Sequence, residues 1–283
     1  MAPAASDAAW QDRAGRAWVE LAVEMDRQLD PLGRLALARL ELQPGERVLD
    51  VGCGSGQTLL QLAEAVGRSG QVLGVDLSEV MLAAARARVE AAGAAQVAVA
   101  CANAAEHAFE RHGFDALFSR FGLMFFEHPR AAFAHLREAL APRGRLAFVC
   151  WQELERNAWA AIPLGAVQAA LPDAPPPIML APGEPGPFAL ADPAHVEALL
   201  HAAGWQDVLV EAIATEIQVG GAGTIDEAAH YLSTIGPAAR QLAEVDPPRR
   251  PAGEQAIVRA LAPYASARGV WMPAAVLVVT ARA

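Results

Sequence analysis

The sequence predicts an α/β fold: a doubly wound, mostly parallel seven-stranded sheet with helices on both faces and helical cap insertions. Three observations predict it. Five short apolar runs between residues 47 and 151 alternate with helical patterns, as parallel strands joined by crossover helices do. A glycine-rich turn follows the first of these runs directly. Two further strand-like runs come after a long stretch of helix and proline-rich loop.

Residues 7–29 read as an amphipathic helix, with Trp10, Ala14, Trp18, Leu21, Met25 and Leu29 on one face. Pro31 is expected to end it, and a short helix follows near 32–41. Arg47–Val51 is a strand, Gly52–Gly56 the turn, and Gln57–Val66 a helix. Gln71–Val75 is a strand, after which Ser78 caps a helix running from Glu79 to about Ala92. Gln96–Cys101 is a strand, with a short helix near 104–110. Phe114–Ser119 is a strand, Pro129–Ala141 a helix with proline in its first turn, and Arg145–Trp151 the fifth strand. Residues 152–171 read as helix, and 172–187 carry too much proline for a regular element. Asp192 caps a helix closed by Gly204. Asp207–Ile213, extendable to Val219, and Ala274–Thr280 are strands, with helices near 226–234, 237–244 and 252–262 between them. The chain thus divides into an N-terminal helical lid (1–40), a ligand-binding core (41–151), cap segments (152–192 and 214–273) and the rest of the core sheet (193–213 and 274–283).

Composition narrows the function. The 283 residues carry 22 basic and 32 acidic side chains, a formal charge of −10, and every basic residue is arginine. An acidic surface of this kind disfavours nucleic acid and anionic membranes as partners. Cys53, Cys101 and Cys150 are too widely spaced for a disulfide framework or a zinc site, so no metal is expected. The first ten residues lack the charged and apolar segments of a signal peptide, and no apolar run reaches about 18 residues. A soluble, cytoplasmic globular protein is the expectation.

The turn Gly52-Cys53-Gly54-Ser55-Gly56 is G-x-G-x-G. A dinucleotide fingerprint would need a third glycine at 57, where Gln57 stands, and a phosphate loop would need a lysine. VLDVGCGSG resembles the first motif of class I S-adenosylmethionine-dependent methyltransferases. GVDLS, with Asp76 twenty positions after Gly56, and CANAAEH are similar to the next two segments of that family. The stretch from Phe114 to Trp151, together with IGPAAR and VLVVTAR, resembles the ubiquinone-biosynthesis-type small-molecule group. The resemblance implies a Rossmann-like core that binds S-adenosyl-L-methionine and releases S-adenosyl-L-homocysteine. It implies that Asp50, Gly52, Cys53, Gly54 and Gly56 surround the methionine part, and that Asp76 takes the ribose hydroxyls. Leu77 and Met81 would lie on the adenine side, with Asn103 and Ala104 in the adenine-binding segment. The family usually has aspartate where Asn103 stands. Ser119 and Trp10 complete the implied cofactor set.

Other residues have two readings each. Trp10 and Trp18 can close over the cofactor or simply pack. Arg120 can hold an acidic substrate group or the cofactor carboxylate, or it can pair with a nearby acid. Phe121, Trp151, Asn157, Trp159 and Tyr231 can line an apolar acceptor pocket or only pack the cap. His128 is the one candidate general base, and a helix-cap position is its other reading. Two further functions remain open at this point. One is cofactor binding without methyl transfer; the other is a nicotinamide-dependent oxidoreductase on a similar fold.

Overall fold

The computed structural model describes residues 13–177, 183–221 and 223–283. Trp10 lies outside them. Helix α1 is Arg13–Glu20 and α2 is Ala22–Leu40. Then come β1 (Arg47–Val51), α3 (Gln57–Val66), β2 (Gln71–Asp76), α4 (Glu79–Ala91), β3 (Val97–Cys101) and β4 (Phe114–Arg120). They are followed by α5 (Pro129–Ala139), β5 (Leu140–Trp151), α6 (Ala158–Ala170), α7 (Pro193–Ala202) and β6 (Gln206–Val219). The remaining elements are α8 (Ile225–Thr234), α9 (Pro237–Ala243), α10 (Arg250–Leu261), β7 (Ala265–Ser266) and β8 (Gly269–Arg282).

The seven expected strands form one sheet in the order β3-β2-β1-β4-β5-β8-β6. The two-residue β7, which has no sequence signal of its own, adds to β8 as an eighth. Strands β3, β2, β1, β4 and β5 are mutually parallel, and β8 runs antiparallel between β5 and β6. The central strands are buried on both faces, so Val48, Leu49, Leu117, Phe118, Phe148 and Val149 form one core. The reversal of strand order falls between β1 and β4, and such a switch point opens a crevice at the carboxyl ends of the strands.

Pro31 does not end the N-terminal helix; it sits inside α2. An internal proline forfeits one backbone hydrogen bond and crowds the carbonyl four residues back. Packing outweighs that here. Met25, Leu29, Leu32, Ala36 and Leu40 form one buried stripe spanning the proline, while Pro31 itself is exposed. With this stripe α2 crosses β4, β5, β8 and β6, so most of the segment expected as a lid is a layer of the core. The expected helix near 104–110 is also absent. Asn103 Oδ1 accepts the Ala105 N–H, and the Asn103 carbonyl accepts those of Glu106 and His107. Its side chain thus closes a turn in place of a helix, and the His107 carbonyl is held by His135 Nε2 of α5.

Helices α6, α8, α9 and α10 pack on one another as a helical unit built from the two insertions. Gly253 permits α10 to approach α9 closely, since a Cβ there would lie 2.7 Å from Leu242 Cδ2. No helix among the described residues is long and apolar enough to cross a membrane.

Because Pro31 is tolerated by packing and not by its own geometry, Pro31→Ala should stabilise the protein. Up to about 3 kcal/mol is available from the restored bond and the removed clash. Denaturant unfolding reads it directly, and a midpoint below wild type would contradict the account.

Candidate functional site

At this switch point the ends of β1, β2 and β4 and the turn leaving β1 come together. The turn is fixed by backbone bonds: Gly52 and Cys53 donate to the Val75 carbonyl at 2.8 and 3.1 Å, and Gly56 donates to Cys53. Gly52, Gly54 and Gly56 all have positive φ, at 74°, 53° and 85°. Their surroundings differ. A Cβ at Gly52 would lie 2.8 Å from Gly122 Cα, and one at Gly56 would lie 2.9 Å from Ala85 Cβ. One at Gly54 would meet only Met81 Sδ, at 3.9 Å. The outer two glycines let elements pack; the middle one leaves a bare backbone facing the crevice.

Asp76 ends β2 against this turn. Its Oδ2 accepts the Gly54 N–H and its Oδ1 the Ser78 N–H, both at 2.9 Å. Burial raises its pKa above the ordinary carboxylate value, and the amides of Ser78, Gly54 and Leu77 pull it back only in part. The carboxylate keeps lone-pair capacity beyond these amides for a ligand hydroxyl. Met81, buried one turn into α4, lies beside Gly54, and its N–H caps onto Ser78 Oγ. Leu77 and Asn103 are half-buried at the ends of β2 and β3, and Ala104 is buried. The Asn103 oxygen expected to face a ligand already accepts the Ala105 N–H.

Asp50, within β1, is fully buried and accepts from Thr58 Oγ1 at 2.5 Å, while its other oxygen has no partner among the described residues. Burial pushes its pKa up to about 7, against the opposing effects of Thr58 and Arg120. Cys53 turns inward under Gly74, where a Cβ would lie 2.9 Å from its Sγ. Burial drives that thiol well above its ordinary pKa, so it is no nucleophile.

Several polar residues expected to face a ligand turn inward. Ser119 is fully buried; its hydroxyl donates to the Val51 carbonyl at 2.7 Å and accepts from Gly122 N–H, fastening β4 to the glycine turn. Arg120 reaches back under α2, hydrogen-bonds Gln57 and lies 3.5 Å from Asp26. It pairs with an acid of its own chain, and Asp26 in turn holds Arg88 at 2.7 Å. Asn157 is a buried junction. It donates to the Gln152 and Glu153 carbonyls and accepts from Ala275 N–H and Trp159 Nε1. His128 is exposed at the start of α5 and makes no capping bond; Pro129 sets that helix start instead.

The aromatic residues do come together. Phe121 stacks on Trp151 with ring centroids 4.3 Å apart, and Trp151 meets Trp159 at 4.8 Å. Phe121 holds φ at 59°, an uncommon conformation for a bulky residue, and its N–H donates to Val149. Tyr231, on α8, is buried with its hydroxyl on Met25 Sδ of α2. Trp18 lies partly buried against the core. The sequence reading missed Asp26 and Gln57, since polar side chains in helices give no signal of a pairing made across the fold.

Residues 48–144 match the family model described as a methyltransferase domain. Over 84 residues the chain is 44% identical to a demethylmenaquinone methyltransferase of Bacillus cytotoxicus, covering 30% of this chain and 35% of that protein. Over 116 residues it is 34% identical to a nocamycin O-methyltransferase of Saccharothrix syringae, covering 41% of each. The chain thus spans well under half the length of these two relatives. Among solved structures, phosphoethanolamine N-methyltransferase 2 of Haemonchus contortus, in complex with S-adenosylhomocysteine, matches 89% of this chain and 52% of its own. The TM-score is 0.55 at 21% identity, a likeness of fold.

Two measurements test this geometry. Asp50 has a raised folded pKa, so its contribution to stability is fully present below about pH 4 and is lost as pH rises through about 7. Asp50→Asn should remove that decline and be the more stable form at pH 8, by an amount on the order of 4 kcal/mol. Melting curves from pH 4 to 8 with parallel wild-type and variant slopes would refute it. Among the glycines, Gly52→Ala and Gly56→Ala should each cost about 2 kcal/mol or more of stability, through strain and overpacking. Gly54→Ala should cost about 1 kcal/mol or less, since its φ is left-handed but its surroundings are open. Equal losses at all three positions would contradict the division of roles.

Proposed function

We propose, from the match of residues 48–144 to a methyltransferase domain and the resemblance of the glycine turn to the class I S-adenosylmethionine-dependent enzymes, that this chain moves a methyl group from S-adenosylmethionine to a small acceptor. One observation carries the reading: Asp76 and the Gly54 backbone are locked together at the switch point, with the Gly54 side left open. The donor set fits this cofactor. Asp76 has remaining acceptor capacity for the ribose hydroxyls, Met81 offers an apolar wall, and the orphaned Asp50 oxygen suits the positive methionine end. Asn103 would meet the adenine amine through a lone pair it already half-uses. The named relatives are, by their names, methyltransferases of demethylmenaquinone and of nocamycin, which supports a small molecule with an apolar or aromatic body.

The cofactor, when bound, supplies an already activated methyl on a sulfonium. What the chain adds is position and dryness. Aligned reactants at near-attack distance can account for about 7–11 kcal/mol of barrier lowering. The glycine turn and Asp76 fix one partner, while the Phe121–Trp151–Trp159 stack gives the acceptor side an apolar wall. A base is required only for an acceptor still protonated near neutral pH, and exposed His128 is the candidate. The lid role falls to α1, the cap role to α6 and α8–α10, and the reading includes a cytoplasmic location. The nicotinamide alternative is disfavoured by Gln57, whose side chain is engaged by Arg120.

Thermal shift tests the cofactor first. At about a hundred times its Kd, S-adenosylhomocysteine should add about 2.7 kcal/mol, a rise of about 5 °C, and NAD should add nothing. No shift with the sulfur cofactors at millimolar concentration would end the assignment. By calorimetry, Asp76→Ala should weaken S-adenosylhomocysteine at least about tenfold and Asn103→Ala less, because only the first removes charge-assisted bonds. The reverse order would move the ribose elsewhere. Methyl transfer from labelled cofactor then separates an enzyme from a binding protein.

A further inference from the structure

The sheet has two edges of different character. Outer strand β6 carries Asp207, Glu211 and Glu216, and its pairing with β8 shifts register between Gln206 and Leu209. Charges and irregularities of this kind keep an edge from pairing with another chain. The opposite edge is β3, Val-Ala-Val-Ala-Cys, with no charge, no proline and an unbroken register on β2. Among the described residues no strand pairs with its outer side. The Gln96 carbonyl accepts Val72 N–H and Ala102 N–H donates to the Asp76 carbonyl, so the even positions here face β2. Alternation then turns the N–H and C=O of Val99 outward.

Beside that edge, β3 and α4 form a groove of about 450 Å³. Val89 of α4 and Val97 and Val99 of β3 line it half-buried, and Arg86 and Glu90 stand exposed on its rim. Ala83, Arg86, Ala87 and Glu90 share one exposed face of α4 at three- and four-residue spacing. Arg86 bonds Glu79 of its own helix, an exposed pair that leaves guanidinium donors for a second carboxylate. The whole chain carries a charge of −10, yet this rim holds one charge of each sign. Such a rim is complementary to itself under a two-fold rotation, whereas an acidic or a basic peptide would match only half of it.

We infer that the β3 edge is where a second copy of this chain docks, the two β3 strands pairing antiparallel about a two-fold axis at Val99. Each Val99 N–H then donates to the Val99 carbonyl of the other copy, and one sheet runs through both. At a strand spacing of about 4.8 Å the two α4 helices come side by side. Ala83 and Ala87 allow their close approach, and Arg86 of each copy meets Glu90 of the other. The contact is independent of methyl transfer and forms with or without cofactor.

Sedimentation velocity reads the association, at about 0.15 M salt so that the mutual repulsion of two acidic chains is screened. Across a concentration series reaching about 100 μM, where a micromolar Kd is saturated, wild type should become a dimer. Val99→Pro removes the outward N–H and no bond to β2, so it should melt near the wild-type temperature and stay monomeric throughout. Arg86→Glu and Glu90→Arg each leave a rim of a single sign and should weaken association at least about tenfold. An equimolar mixture of these two variants should recover the dimer, since one rim is then acidic and the other basic. A wild type that stays monomeric across the series overturns the inference. So does a dimer that survives Val99→Pro, or a mixture no more associated than its two components. Should Val99→Pro not fold, the rim variants and their mixture decide alone.

Discussion

The geometry of the crevice depends on one carboxylate shared between two backbone amides. Asp76 ends β2, accepts from Gly54 in the turn after β1, and accepts from Ser78 at the start of α4. Bonds of this charge-assisted kind are worth about 1.5–3 kcal/mol each. They set the turn in a left-handed path that a chain would otherwise rarely hold. The cost is visible in the raised pKa: the protein buries a negative charge and only partly compensates it. Incomplete compensation is what leaves the carboxylate with capacity for a ligand.

Around that point the polar side chains divide by direction. Those that turn inward, Ser119, Arg120 and Asn157, join strand ends and insertions to the core. They give the crevice a rigid rim, and their loss would loosen the site without touching a ligand atom. Asp50, Tyr231 and Gln28 have the opposite character. They are buried with hydrogen-bonding capacity left over: one oxygen of Asp50 and one of Gln28 have no partner among the described residues, and Tyr231 has a thioether as acceptor. Phe121 accepts an uncommon backbone conformation to keep its ring on Trp151, and strain of this kind persists only where surrounding contacts impose it.

Much of this was legible in the sequence because it is local. Arg47–Val51, the G-x-G-x-G turn and Gln57–Val66 are adjacent in the chain, so their pattern of apolar run, glycines and helix is written in consecutive residues. The distance from Gly56 to Asp76 is likewise a property of one crossover unit. What sequence could not give is the direction of a side chain decided by a distant element. Arg120 turns under α2 because Asp26 is there, nearly a hundred positions earlier. Asn157 is a junction because Ala275 of β8 arrives beside it. Pro31 reads locally as a helix end, and only the sheet face beneath α2 explains why the helix continues. The stretch near 104–110 failed differently: its helical composition was overridden by one asparagine side chain closing a turn.

The position of β8 also bears on how the molecule comes to be folded during synthesis. Strand β6 has no pairing with β5; both are joined through β8, which follows β6 by about fifty residues. At about 5–20 residues per second, the ribosome delivers β8 several seconds after β6. For that interval β5 offers an open backbone edge and the fourteen-residue β6 has no neighbour at all. The nascent chain is then at its most vulnerable to pairing with another chain, and the wait ends only when the last strand slides between its two partners.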